Sequence, residues 1–224
     1  MHIPDSFIPI GQAAVYWLIA LFFIALALRW VRNEMSEEKL PLLAVLAAGV
    51  FALQAFNIPV TMGTSGHLVG GALVAIALGS PYAAIIVLTL VLIVQGVLFG
   101  DGGITTMGAN IINMGVIGGF VGYYSYQGLH RLTKNLFVSA GVAAWLACLV
   151  PALAASVELF IAGTFPLVPG MISMGLYHAL IGVIEGVITA VVLGLIANTR
   201  PDILDKTVGI QSYAGVPNSV EVQT

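Results

Sequence analysis

Residues 12–32 read QAAVYWLIALFFIALALRWVR, and no Asp, Glu, Lys or Arg interrupts them before Arg29. Wound as a helix, a run of this length rises about 31 Å, which matches the ~30 Å hydrocarbon core of a bilayer. Working outward, six more apolar segments follow, at residues 40–56, 66–80, 81–99, 108–127, 136–162 and 171–196. The segment 66–80 is short and rich in glycine, which suits a helix buried among others rather than facing lipid. The segment 136–162 is long and contains Pro151, where a tilt or kink is expected. The pattern predicts an all-α, polytopic membrane bundle of about seven transmembrane helices over residues 12–197. A leader (1–11) precedes it and a tail (198–224) follows.

Composition agrees. Of 224 residues, 59% are hydrophobic and 8% charged, too few charges to coat a soluble surface. The net charge of −3 comes without a basic patch, which argues against nucleic acid as a partner. The one cysteine, Cys148, lies in an apolar run and reads as a small packing residue. The opening MHIPDSFIPIGQ has no basic n-region and no small-residue cleavage site, so no signal peptide is expected. Met1 is therefore read as the mature N-terminus, with a free amine.

With the spans numbered alternately, all seven basic residues fall on one side: Arg29, Arg32, Lys39, Arg131, Lys134, Arg200 and Lys206. The other side holds the N-terminus and the loops 57–65, 100–107 and 163–170, none with a Lys or Arg. The positive-inside rule then predicts an outer N-terminus and a cytoplasmic C-terminus, in the cell (inner or cytoplasmic) membrane.

The polar residues suited to chemistry lie on the side without basic residues. An amine at residue 1 and an imidazole at residue 2 flank one amide nitrogen. Once a metal displaces the amide proton, these three nitrogens chelate through a five- and a six-membered ring and lie nearly coplanar. Planar nitrogen coordination suits Ni(II) or Cu(II) and does not suit Mg or Ca. One nitrogen completes the plane, and His67 is the candidate, because a leader of nine residues reaches about 30 Å. The bland alternatives are a disordered terminal histidine and a hydrogen-bonded helix-start histidine. Gln95, Asp101, Asn110 and Asn113 are candidates to orient the ligands, or else plain interhelical contacts. Glu185 reads as near mid-membrane, either functional, a protonated structural acid, or an anchor between helices, and His178 shares its helix face. Glu158 is expected nearer the outer end and less buried. There is no H-E-x-x-H, no G-x-x-x-x-G-K-[ST] and no G-x-S-x-G, so no zincin, P-loop or serine-hydrolase chemistry is expected.

The blocks MHIPDSFIP, TSGHLVGGALVAIALGSP, VQGVLFGDGGITTMGANIINMGVIGG and YHALIGVIEGVIT resemble the CbiM/NikM substrate-binding components of energy-coupling factor (ECF) transporters for cobalt and nickel. The resemblance covers essentially the whole chain. The G-H-L-x-G-G and F-G-D-G-G forms look more like the NikM branch. It implies that Met1 gives its amine, His2 its amide and imidazole nitrogens and His67 the fourth nitrogen. Residues 1–224 are then one transmembrane metal-binding domain, and the protein is no enzyme itself. The resemblance also implies a T-type membrane coupling subunit, cytoplasmic ABC-type ATPase subunits and a small NikN-like membrane subunit. Ni(II) or Co(II) is then the transported substrate. Ser6 departs from the pattern, since relatives usually have Gly there. Two other classes compete: a self-sufficient channel or secondary carrier with Glu185 and His178 as a relay, and a binding subunit for an organic vitamin.

Overall fold

Three residues, Gly79-Ser80-Pro81, end one helix and begin the next, and they illustrate how tightly the rods are connected. Gly79 closes α3 (Gly71–Leu78) in the left-handed region at φ 77°. Ser80 caps α4 (Pro81–Val94) by accepting the Tyr82 N–H at 3.2 Å, and Pro81 fills the first helical position. The structure is a computed structural model, and it describes residues 1–61, 63–202 and 204. Lys206 and the rest of the tail beyond 204 lie outside the described residues.

Among the described residues, seven helical rods follow the leader. They are α1 (Ile10–Glu34), α2 (Leu40–Gln54), α3, α4 with a π-helical end (Gln95–Phe99), a composite rod, α7 (Leu136–Ile161) and α8 (Leu167–Thr199). The composite rod joins α5 (Met107–Asn110), a π-helical stretch (Ile111–Ile117) and α6 (Gly118–Thr133) without a break. Among the described residues, four helices are long and apolar enough to cross a membrane: Ile10–Glu34, Pro81–Phe99, Leu136–Ile161 and Leu167–Thr199. Leu18, Phe22, Leu98, Phe160, Ile172 and Leu180 are among many large apolar side chains on the outside, as a lipid-facing surface requires. This is a multi-pass membrane protein.

The short third rod sits in the middle. All eight residues of α3 are buried, packed by α4, α6, α7 and α8. The expected helix 66–80 is nevertheless too long. Ser65–Gly66 forms a two-residue strand, β2, pairing antiparallel with β1 (Ile58–Pro59). His67 follows in irregular backbone, and α3 starts only at Gly71, after Gly70 at φ 79°. A left-handed residue ahead of a helix makes the chain turn into it, so His67 does not open the helix. A Cβ at Gly70 would also meet Val50 at 2.6 Å. Pro151 lies inside α7, and Glu158, 8% exposed, is slightly less buried than Glu185 at 3%.

Candidate metal centre

The leader folds back into the protein. Met1, His2 and Ile3 are 0%, 3% and 0% exposed. Extended backbone offers N–H and C=O groups that must be paired when buried, and the loop 101–106 with the start of α5 supplies most partners. The Ile3 N–H donates to Asn110 Oδ1 at 2.8 Å. The Ile3 carbonyl accepts Gly103 N–H at 3.0 Å, Asn110 Nδ2 at 3.1 Å and Thr106 Oγ1 at 2.5 Å. Asp5 accepts the Thr105 and Ile104 amides and the Thr105 hydroxyl, and its carboxyl is held below the ordinary range chiefly by that hydroxyl. Thr164 donates its hydroxyl to the Phe7 carbonyl from the loop before α8. Ser65 holds the first two nitrogens. Its Oγ accepts the Met1 amine at 2.9 Å and the His2 amide at 3.1 Å, and its carbonyl also accepts the amine.

The two histidines meet. The His2 and His67 rings stack with centroids 4.3 Å apart and planes 24° from parallel. Each ring has one nitrogen engaged and one left over. His2 Nε2 pairs with Gln95 Oε1 at 3.1 Å, and since that amide oxygen only accepts, Nε2 carries the proton. His67 Nδ1 pairs with the Leu68 carbonyl at 2.8 Å, so it too carries the proton. The remaining nitrogens, His2 Nδ1 and His67 Nε2, are buried with no hydrogen-bond partner. Nδ1 is the ring nitrogen that closes a six-membered chelate ring with the backbone amide.

Asp101 faces His2 Nδ1 at 3.2 Å. With the proton on Nε2, that contact sets a nitrogen lone pair against a carboxylate oxygen, which is repulsive unless a cation lies between or beside them. The π turn at Gln95 places this pair. The Gln95 carbonyl accepts the Asp101 N–H at 3.0 Å, and Gly100 at φ 66° turns the chain back. Burial pushes the Asp101 carboxyl up from its ordinary value, and the nearby Met1 amine and Asn57 Nδ2 (2.9 Å) oppose this. Gly102, at φ 92°, passes His2 closely, and a Cβ there would lie 3.3 Å from His2 Cδ2. A cavity of about 430 Å³ opens over His2, walled by Pro4, Asn57, Ser65 and Asp101.

Electrostatics favour free lone pairs. Burial drives the Met1 amine well below its ordinary 8.0, against smaller upward pulls from Cys148 and Asp101. His2 is pushed down to about 3, first by burial and then by the amine, with the Gln95 bond opposing. Burial therefore favours the uncharged form of both groups. Among the described residues, no three His, Cys, Asp or Glu side chains converge into a cage. The arrangement instead assembles an amine, an amide and two imidazoles.

Of the residues singled out from the sequence, Met1, His2, His67, Gln95, Asp101 and Asn110 come together here. Asn113 is placed elsewhere, donating to Glu158 Oε2 at 2.7 Å. His178 is fully buried behind the His67 loop, its Nδ1 on the Met174 carbonyl (2.8 Å) and its Nε2 unpartnered. Glu185 binds the backbone just after His67. Sequence reasoning missed Ser65, Thr106 and Asp5. The signal for Asp5 was present, as it is the one carboxylate in the leader.

Residues 2–203 match the family CbiM, described as "Cobalt uptake substrate-specific transmembrane region". The chain is 36% identical to the cobalt transport protein CbiM of Geobacter sulfurreducens over 218 residues, covering 92% of this chain and 62% of that protein. It is 31% identical to the fused nickel transport protein NikMN of Rhodobacter capsulatus, covering 91% of this chain and 64% of that protein. The crystal structure of a truncated transition metal transporter superposes with a TM-score of 0.85 at 32% identity, covering 88% of this chain and 99% of that one.

Proposed function

The chain belongs to the CbiM family of cobalt-uptake transmembrane regions, and from that premise we propose that it is the substrate-specificity component of an ECF-type importer for Ni(II) or Co(II). The metal, as substrate, is held in a plane by the Met1 amine, the His2 amide nitrogen, His2 Nδ1 and His67 Nε2. One observation carries this reading: the two stacked histidines each have one nitrogen hydrogen-bonded away and the other, His2 Nδ1 beside Asp101 and His67 Nε2, buried without a hydrogen-bond partner. Buried polar atoms without partners are rare, and two on facing rings support the assignment of a ligand site. Ser65 holds the amine and amide nitrogens in the metal's absence. Asp101, at the mouth of the cavity, draws the hydrated cation toward His2.

A deprotonated amide and three further nitrogens make a strong planar ligand field, which favours Ni(II) over Co(II). The side bearing these groups faces outward by the distribution of basic residues, and the C-terminus faces the cytoplasm. Energy comes from partners, a T-type membrane subunit and ABC-type ATPase subunits, with a small NikN-like subunit completing the assembly. The two backbone N–H groups that Glu185 accepts support an anchoring role over the relay alternative.

The test is a nickel titration of the purified chain with Ala inserted after Met1. The insertion turns the amine into an amide and moves His2 to third position, so tight nickel binding is expected to vanish. Retained tight binding would refute the planar chelate.

A further inference from the structure

The stretch that carries His67 has no helix or sheet to hold it. Residues 67–70 are irregular and largely buried, so each peptide group needs a partner from elsewhere. The partners come from α8 and α2. Glu185, 3% exposed, accepts the Val69 N–H through Oε2 and the Gly70 N–H through Oε1, each at 2.8 Å. Gln54 of α2 donates to the Val69 carbonyl, also at 2.8 Å. The Cys148 thiol of α7 lies against the same carboxylate.

Packing along α8 runs in step with these bonds. A Cβ on Gly63 would meet Met174 Sδ at 2.6 Å, and one on Gly66 would meet Ile181 Cδ1 at 2.8 Å. Residues 63–70 therefore run alongside α8 from Met174 to Glu185. A carboxylate that accepts two N–H bonds makes a stronger, more directional clamp than a neutral side chain. Two consecutive amides aimed at one carboxylate occupy both of its oxygens.

We infer that Glu185 is a positioning residue for His67: its two oxygens hold consecutive peptides just past the ligand, so that the His67 ring faces His2 and metal affinity is tied to the placement of α8. The inference rests on the planar-site reading. By linkage, a shift of α8 away from the loop weakens metal binding, and bound metal restrains α8 by the same free energy. That gives any partner acting on α8 a route to the site that touches no ligand.

Glutamine has the same shape but offers one acceptor and one donor, so Glu185→Gln leaves one of the two N–H groups facing an NH2. The experiment records the visible ligand-field spectrum and the nickel dissociation constant of full chains: wild type, Glu185→Gln, Glu185→Asp and Glu158→Gln. In Glu185→Gln, the band is expected to move to longer wavelength as a weaker-field oxygen donor replaces His67, and the dissociation constant to rise about 10- to 100-fold. Glu185→Asp keeps two oxygens on a shorter stem and should fall between. Glu158→Gln alters another buried carboxylate, bonded to Asn113, and should keep the wild-type band. If Glu185→Gln cannot be purified folded, Glu185→Asp decides. An unshifted band and unchanged affinity in the Glu185 variant overturn the inference. A wild-type protein without a planar nickel band overturns the planar site itself, which is a separate result.

Discussion

The leader and the helix it runs into are built on opposite terms. Residues 1–3 expose almost nothing, while in the 25 residues of α1 only Ala13, Ala20, Ala27 and Trp30 are buried. The leader has no regular structure and is held by bonds to Ser65, Gln95, Gly103, Thr106 and Asn110. The helix satisfies its own backbone and presents leucine and phenylalanine outward. In a bilayer the hydrophobic effect rewards the exposed apolar face of α1 and gives no force to bury it. Irregular backbone is admissible only inside protein, where every polar group finds a partner. The chemistry resides in the segment that depends wholly on tertiary contacts, and the regular segment serves as its boundary with lipid.

This contrast can be broken at the site. His67→Ala removes the fourth nitrogen and is expected to weaken nickel binding by more than about 100-fold, beyond the range of changes to groups that only orient ligands. His178→Ala should cost less, and Phe22→Ala on the outer face of α1 should change nothing in the same titration. If His178→Ala had the larger effect, the fourth ligand would have to be reassigned. Next in size is Gln95→Leu, which frees the His2 ring to take the other tautomer. A loss of about 10- to 100-fold in affinity is expected, with the wild-type stoichiometry.

Acid tests the leader more gently. The docked His2 has its pKa pushed down to about 3 from an ordinary 6.5, and the Met1 amine lies well below 8.0. Both groups bind a proton more readily when the leader is released. Docking is therefore fully favoured above about pH 8 and weakens as pH falls through 6.5 toward 3. Metal competes with the same protons, so nickel affinity should fall in the same direction. A titration that is flat between about pH 5 and 8 would mean that the leader is not docked in this way.

The smallest effect is expected at Ser6, which adopts φ 71°. A residue with a Cβ is disfavoured there, so Ser6→Gly should steady the leader turn by about 0.5–1 kcal/mol. Thermal unfolding would show it as a small rise in midpoint, and a fall would mean that the serine hydroxyl matters more than its backbone strain.

Much was legible because it is local. The seven rods could be placed from hydropathy, since partition into lipid depends on the residues of one segment at a time. The chelating power of Met1 and His2 follows from covalent spacing alone. The tertiary structure decided two further points. His67 was placed at a helix start because its neighbours are apolar, yet Gly70 and Gly71 let the chain remain irregular and pair with Glu185 and Gln54 instead. Asn113 lies near Asn110 in sequence, but the π-helical stretch sends it to Glu158.

By itself, the sequence determined that this is a membrane-spanning helical chain whose terminus has the donor spacing of a metal chelate, because solvent partition and chelate-ring size are properties of short stretches. Only the tertiary structure decided which nitrogens are free. Gln95 lies 93 residues from His2 in the chain, and it is that contact which sets the proton on Nε2 and leaves Nδ1 beside Asp101. Glu185 likewise reaches the peptides beyond His67 across more than a hundred residues. Long-range hydrogen bonds select one tautomer and one loop position from several that the local sequence allows equally.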